Sequence, residues 1–478
     1  MLLYYHKVLY KVQILMFLAK SSNHKVFKYV LKTSYRVIIM IVMKFGGSSV
    51  GDAERITGVC NIVKSKLAEK PVVVVSAVKG ITDKLIDTAK KAALGNDVSK
   101  ELAEIKEKHH KILNELGLDE KLVDPVLEGF YKTIDKIFVM KTTNAEIMDE
   151  VQSFGERMSV KIVAACLSKM GVPSEGFNAY DVGMITTPDY SNAEPLPDTE
   201  ERIKHAISKL KVVPIVTGFI GKDSAGNITT LGRGGSDYTA GIIGGALDAV
   251  TEIWTDVNGV MTSDPRVVKG AKTIDQISFD EASELAYFGA KVLHPKTIWP
   301  AVRKNLPVKV LNSFEPDHKG TTIVRESTKS KEVIKAIACK KNIHLINITS
   351  TRMLLAHGFL ARVFSVFEDY KKSVDMIATS EVSVSLTVDK DSDLDKIKND
   401  LDGIAEVKVG SGKSIVCVVG EGMKNTPGIA GRIFTAIGKN HISIEMISQG
   451  ASEINISFII DGKDADKAVQ VLHKEFFG

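Results

Sequence analysis

The sequence predicts an α/β protein followed by smaller α+β units, and three observations carry that prediction. Residues 71–77 form a continuous apolar run with the length of a strand buried on both faces of a parallel sheet, and the apolar-rich segments 41–45 and 211–217 read as further strands. Helix-length amphipathic segments separate them, the alternation that builds layered α/β folds. From residue 343 the order changes to strand, helix, two strands, helix, strand, and a second copy begins at 414.

The chain has 478 residues, enough for about two to four domains of roughly 150 residues. Its charged fraction of 25% and hydrophobic fraction of 44% are those of an ordinary soluble protein. Of the net charge of +5, seven positive charges and no acid fall in residues 1–39, so the remainder carries −2. That balance offers no nucleic-acid surface. Cys60, Cys166, Cys339 and Cys417 form no CxxC pair, which argues against a zinc site or disulfide framework and fits a cytoplasmic protein. Residues 1–39 have the basic composition of a targeting segment. Their longest apolar run, residues 12–19, is too short to span a membrane, and no small-residue cleavage site follows. Met40 or Met43 would open a chain at the first strand, so an over-extended reading frame is expected rather than a functional arm.

The first strand, residues 41–45, leads at once into a Gly-Gly-Ser-Ser turn and a helix over 52–67. Lys44 therefore stands beside a turn whose Gly46, Gly47 and Ser48 amides can approach an anion at a helix N-terminus. The lysine precedes the glycines, so this is not a Walker A loop. A glycine-rich β-to-α connection with a solvated lysine is the alternative. The strand over 71–77 ends at Ser76, with Thr82 in the next turn. Residues 85–94 and 100–141 read as helices, the second an amphipathic cover with His109 and His110 facing solvent. The helix over 149–170 carries Glu156, either an exposed acid or a buried partner for an amine. The strand over 211–217 is followed by a glycine turn at 218–221 and a hairpin turning at Ala225-Gly226-Asn227. Three glycines around Arg233 form a second anion-binding turn, with Ser236-Asp237 as the expected cap of a small-residue helix over 238–247. Arg233 offers a planar fork for a carboxylate or phosphate. Gly241 and Gly245 are expected to pack closely on the sheet. The strand over 252–256 ends in Asp256 and continues into a long loop to Arg266. Two anion turns, strand-end Ser, Thr and Asp, and the separated Lys44 and Lys291 suggest a nucleotide-dependent phosphotransferase. A non-catalytic nucleotide or amino-acid sensor is the competing class, and it has no need of a lysine at each end of a polyphosphate.

KFGGSSV (44–50), SFGERMS (153–159), GFIG (218–221), TTLGRGGSDYTA (229–240), WTDVNGVMTSDPR (254–266) and FGAKVLHP (288–295) occur in this order. Together they resemble the aspartokinases of the amino-acid kinase family. The resemblance implies a three-layer α/β/α kinase domain over 40–325. It implies transfer of phosphate from ATP, with Mg²⁺, to the β-carboxylate of L-aspartate, the first step toward lysine, threonine and methionine. Lys44, Lys291 and Asp237 become the catalytic set, with Lys44 on the moving phosphoryl group. Gly46, Gly47 and Ser48 become cradle donors. Lys291, Thr255, Asp256, Met261 and Arg266 hold the nucleotide, its Mg²⁺ carried mainly by ATP phosphates and by no protein metal site. Met261 stands where some relatives carry Tyr. Arg233 clamps the aspartate α-carboxylate, Glu156 and Asp237 meet its ammonium, and Ser76 and Thr82 complete the pocket.

The repeated C-terminal pattern resembles ACT domains, small-molecule sensors. The second copy runs out of chain before its last strand, and residues 333–339 are expected to supply it. The first ACT unit, 343–411, is then inserted in a second formed by 333–340 plus 412–478. Met353, Gly358, Phe359, Leu360, Val374 and Asp375 match effector positions of lysine-sensitive relatives, where a carboxylate could pair the side-chain amine of lysine. Threonine is the other candidate effector. The family pattern implies a homodimer or tetramer joined through the ACT units, with neither nucleic acid nor membrane as partner.

Overall fold

The computed structural model describes residues 40–289, 295–326, 333–350, 357–389, 392–424, 426–450 and 454–478; the basic segment 1–39, Lys291 and Met353 lie outside them. The chain opens with β1 (Ile41–Phe45), α1 (Ala53–Ser65), β2 (Pro71–Val75), α2 (Ile81–Ala93), α3 (Ser99–Glu115), α4 (Asp124–Met140) and α5 (Ala145–Lys169). It continues through β3 (Ser174–Phe177), α6 (Thr199–Ile207), β4 (Val213–Thr217), β5 (Ile220–Lys222), β6 (Ile228–Thr230), α7 (Gly235–Leu247) and β7 (Val250–Thr255). β8 (Gln276–Ser278), α8 (Phe279–Tyr287), α9 (Pro295–Lys304), β9 (Val308–Asn312) and β10 (Thr321–Val324) complete the first unit.

These strands form one sheet in the order β3-β4-β2-β1-β7-β9-β10-β8, parallel throughout except between β9 and β10. Successive side chains of a strand leave on opposite faces, so continuous apolar strands feed two cores. Ile41, Met43, Phe45, Val73 and Val75 enter the core beneath α1, α2, α4 and α5. Val42, Val72 and Val74 enter the core beneath α6, α7, α8 and α9. The result is helix, sheet and helix in three layers.

Local chemistry fixes the element ends. Asp52 caps α1, its carboxylate accepting the Arg55 N–H at 2.9 Å. The expected helix over 100–141 is broken into α3 and α4, because Gly117 takes a left-handed φ of 61° and Asp119 caps a short turn before α4. His109 does not face solvent: it is fully buried, its ring bonds the Ile105 carbonyl at 2.7 Å, and burial pushes its pKa down to about 4. Gly241 and Gly245 pack against a helix rather than the sheet. A Cβ at 241 would lie 2.5 Å from the Thr297 carbonyl oxygen of α9, and one at 245 would lie 3.5 Å from Pro300.

The C-terminal half contains β11 (Ala336–Thr349), α10 (Phe359–Asp369), β12 (Ile377–Thr379), β13 (Ser383–Val388), α11 (Leu394–Asp402) and β14 (Glu406–Val419). After these come α12 (Ile429–Lys439), β15 (Ile444–Ser448), β16 (Asn455–Asp461) and α13 (Ala465–Phe477). They form one antiparallel sheet, β12-β13-β11-β14-β16-β15. β11 and β14 are each 14 residues long: residues 336–341 pair with 414–419, and residues 345–349 pair with 406–410 beyond a register shift. On one face lie α10 and α11 over β13 and α12 and α13 over β16. On the other, Ala336, Ala338, Leu345, Cys417 and Val419 share a core with Phe279, Ala282 and Leu285 of α8. Alternation along β11 and β14 therefore joins the sensor-like sheet to the sheet-and-helix unit. Among the described residues no helix is long and apolar enough to cross a membrane.

Candidate active site

The carboxyl ends of β1, β2 and β4 open on a cleft of about 650 Å³, the usual ligand position in open α/β sheets. Of the residues singled out in the sequence, Lys44, Gly47, Ser76, Thr82, Glu156, Arg233 and Asp237 line it. A Cβ at Gly47 would lie 2.9 Å from the Ala77 carbonyl oxygen, so only glycine lets this turn close against the turn that follows β2. Gly46 and Ser48 are not on the cleft wall. The Gly46 N–H donates to the Trp254 carbonyl at 3.3 Å and so is not free to cradle an anion.

The Lys44 ammonium stands 2.5 Å from Asp237 Oδ1, with 11% and 15% of the two side chains exposed. The pair is close without hydrogen-bond alignment, since Oδ1 has no hydrogen-bond partner. Opposite charges this close and this little exposed attract whatever the N–H direction. Asp237 sits in the first turn of α7, but neither it nor Ser236 caps that helix. Gly234, at φ 73°, occupies the cap position and Gly235 begins the helix. A Cβ at Gly218 would lie 2.5 Å from that of Ser236, and one at Gly235 would lie 2.6 Å from the Phe219 ring. Paired glycine turns thus bring Arg233 to the rim, where it is exposed and no carboxylate among the described residues pairs with it.

Glu156 has the most unusual surroundings. A Cβ at its neighbour Gly155 would lie 2.7 Å from that of Ala77, so α5 runs against the end of β2. Glu156 is 3% exposed; Oε1 accepts the Ala77 N–H at 3.2 Å and Oε2 is buried with no partner. Burial pushes its carboxyl up to about 8. A buried, unpartnered oxygen in a cleft wall is the signature of a group awaiting a cationic ligand. Lys79, Gln152, Ser191 and Phe219 also line the cleft and were not singled out in the sequence. Lys79 lay in the turn after Ser76 and could have been noticed; Ser191 stands in an irregular loop that carries no motif.

The expected nucleotide residues are not gathered there. Thr255 Oγ1 donates to Asp256 Oδ1 at 3.2 Å, and Met261 bridges Thr273. Arg266 folds back on Asp264 with contacts of 2.6 and 3.0 Å and stays 77% exposed. The turn at Pro265 sets those two charges together, which answers the guanidinium locally. Thr255, Asp256, Met261 and Arg266 are absent from the cleft wall. Among the described residues no group of three or more His, Cys, Asp or Glu could hold a metal ion.

Of the expected effector residues, Gly358, Phe359 and Leu360 stand at the start of α10, while Val374 and Asp375 follow its end. Gly358, at φ 76°, precedes the helix; Leu360 is partly exposed, and Phe359 is buried in the core of its own unit, leaving only its backbone to meet a ligand. Asp375 is not an open carboxylate. The chain's own Lys340 ammonium lies 2.7 Å from Oδ2, and the Tyr287 hydroxyl at the end of α8 donates to Oδ1 at 2.9 Å and to the Val374 carbonyl at 3.4 Å. Burial, then the Asp375 charge, pushes the Tyr287 phenol up.

The model of the amino acid kinase family matches residues 40–312, and an ACT domain model matches residues 416–476. The chain is 41% identical to "Aspartokinase 2, chloroplastic" of Arabidopsis thaliana over 91% of its own length and 84% of that relative's. It resembles the crystal structure of E. coli aspartokinase III in complex with aspartate and ADP (R-state), with a TM-score of 0.79 and 35% identity, covering 92% of this chain and 100% of that one. The same enzyme in complex with lysine and aspartate (T-state) gives a TM-score of 0.76 at 35% identity, with the same coverage.

Proposed function

The chain belongs to the amino acid kinase family, as an aspartokinase with a C-terminal ACT region, and from that premise we propose that its cleft transfers the γ-phosphoryl group of ATP to the β-carboxylate of L-aspartate. The product is 4-phospho-L-aspartate, the first intermediate toward lysine, threonine and methionine, made in the cytoplasm. The observation that carries this reading is the pairing in one cleft of an exposed guanidinium, Arg233, with a buried orphan carboxylate oxygen on Glu156. An α-amino acid presents the matching carboxylate and ammonium.

The nucleophile needs no general base, because a β-carboxylate with a pKa of about 3.9 is already ionised at neutral pH. Its oxygen attacks the γ-phosphorus; that O–P bond forms as the bond to the β,γ-bridging oxygen breaks, and ADP leaves with the electron pair. Catalysis is then positioning and charge neutralisation. Lys44, held near Asp237 in the free enzyme, is placed to follow the phosphoryl group. Arg233 clamps the α-carboxylate, Glu156 and Asp237 receive the ammonium, and Ser76 and Thr82 bond the carboxylates. Gly47 supplies backbone approach, and the loop from Thr255 to Arg266, with Lys291, holds the nucleotide. Mg²⁺ enters as the MgATP substrate and neutralises phosphate charge. Trapping the acyl phosphate with hydroxylamine tests the reading: ATP-dependent hydroxamate should form with L-aspartate, and none forming would remove it.

Arg233→Lys is expected to raise the aspartate KM about tenfold or more, since a point charge cannot reproduce a bidentate clamp. Steady-state kinetics with each substrate varied decide it; a rise in the ATP KM alone would move Arg233 to the nucleotide site.

The sensor sheet is proposed as two ACT units, 343–411 and 333–340 plus 412–478, binding lysine or, less favoured, threonine between copies of a homodimer or tetramer. Exposed Ile377 and Ile447 on the edge strands β12 and β15 suit such contacts. A lysine effector reaching Asp375 must displace Lys340 and would loosen Tyr287 of α8. Asp375→Ala is therefore expected to raise the lysine concentration for half inhibition at least fivefold, within the range of about 5- to 150-fold open to allosteric coupling. Inhibition assays with each amino acid check it: full lysine inhibition retained removes this pocket, and threonine inhibition alone reassigns the effector.

A further inference from the structure

We infer that Asp149 is a positioning residue that fixes one wall of the aspartate site by clamping the loop around Ser191 onto the glycine turn that carries Arg233. Asp149 lies on α5 seven residues before Glu156, two helical turns along the same face, so one rigid helix carries both carboxylates. It is fully buried. Its Oδ2 accepts the backbone N–H of Thr230 at 2.7 Å and of Ser191 at 2.9 Å; its Oδ1 accepts the Thr230 hydroxyl at 2.8 Å and the Ser191 hydroxyl at 3.3 Å.

Both clamped residues line the cleft, as do Gly232 and Arg233 just beyond Thr230. Ser191 has a left-handed φ of 69°, unfavourable for a residue with a Cβ, and the two bonds to Asp149 hold it there. The loop is laced further by the Ala193 N–H on the Thr230 carbonyl at 2.9 Å. Gly232 leaves no room to spare, since a Cβ there would lie 2.9 Å from the Ser191 carbonyl oxygen. Glu194 continues the tie outward, 2.6 Å from the Lys296 ammonium of α9 and accepting the Tyr238 hydroxyl of α7 at 2.9 Å. Without the Asp149 acceptors, Ser191 is free to leave its strained conformation and the Thr230–Arg233 turn loses its anchor to α5.

The role is geometric, so an amide should replace the acid. The carboxamide oxygen can accept both backbone N–H groups while its NH₂ donates to the two hydroxyls. Asp149→Ala is expected to raise the aspartate KM about tenfold or more, the scale of a misplaced binding wall, with the ATP KM within about twofold. Asp149→Asn should recover most of that loss. The inference rests on the aspartate kinase reading, and hydroxamate formation by the unmodified enzyme separates the two: no product there removes the reading. Product there, with Asp149→Ala unchanged in aspartate KM or Asp149→Asn as impaired as Asp149→Ala, removes only the inference. Should the alanine variant not fold, Thr230→Val, which deletes one hydroxyl donor, takes its place. A raised aspartate KM with an unchanged ATP KM supports the clamp, and an unchanged aspartate KM overturns it.

Discussion

Lys44→Met is expected to lower turnover by about 10²- to 10³-fold, the scale of removing one preorganised charge from a transferring group, while aspartate still binds. The phosphoryl group in flight spreads negative charge over its oxygens, and a lysine at the end of β1 is the cation that the first turn brings to it. Binding of aspartate alone rests on Arg233, Glu156 and Asp237, and of these Lys44 touches only Asp237. Because Lys44 is paired with Asp237 inside the cleft, its loss also strands a mostly buried carboxylate, and some stability should go with it. The aspartate ammonium can partly restore that pairing, so aspartate should raise the thermal midpoint of the variant more than that of the parent. Single-turnover kinetics beside calorimetric titration of aspartate make the measurement. Turnover near the parent value would take Lys44 out of the phosphoryl path.

How much of this was legible in sequence depends on whether the signal was local. Continuous valines at 72–75 can only be a strand covered on both faces, so the layered α/β class followed directly. Glycines beside Lys44 and Arg233 marked close backbone approach, and both turns do meet at the cleft. His109 was misread because a lone histidine on a charged helix carries no mark of what packs over it. The Ser236-Asp237 pair looked like a helix cap, yet Gly234 took that place, as a left-handed φ is available to glycine at little cost. β11 and β14 read as separate short strands on either side of residues 340–342 and 410–413, whereas each runs on through its register shift. Arg266 and Asp375 share one feature that the sequence did not show: each is met by an opposite charge of the chain itself, Asp264 two residues away and Lys340 thirty-five residues away, and such a pairing is visible only once the chain folds. Asp149 was passed over because a carboxylate whose partners are the amides and hydroxyls of two distant residues has no motif.

Glu156 ties aspartate binding to pH, and the sign follows from its burial. In the free enzyme its carboxyl is raised from the ordinary 4.5 to about 8 by desolvation, against the Ala77 N–H that favours the anion. The folded state therefore holds this proton more tightly than the unfolded chain. The stability this contributes is fully present below about pH 4.5 and is lost as pH rises toward about 8. Aspartate needs the opposite form, because its ammonium pairs with the ionised carboxylate. Below about pH 8 each aspartate bound must expel the proton. The aspartate KM is then expected to rise as pH falls, by up to about tenfold per pH unit, and to level off above about pH 8. Glu156→Gln cannot ionise. It should bind aspartate more weakly at high pH by about 1.5–3 kcal/mol, the worth of a hydrogen bond to a charged group, and should lose the pH dependence. It should also discriminate less against substrates that lack the amine. Relieved of a buried anion, the same variant without aspartate should melt higher than the parent at about pH 9, so binding and stability move in opposite directions at one residue. Aspartate KM values and thermal midpoints across about pH 6 to 9 measure both effects, and a parent KM flat from pH 6 to 8 would show that Glu156 is already ionised before aspartate arrives.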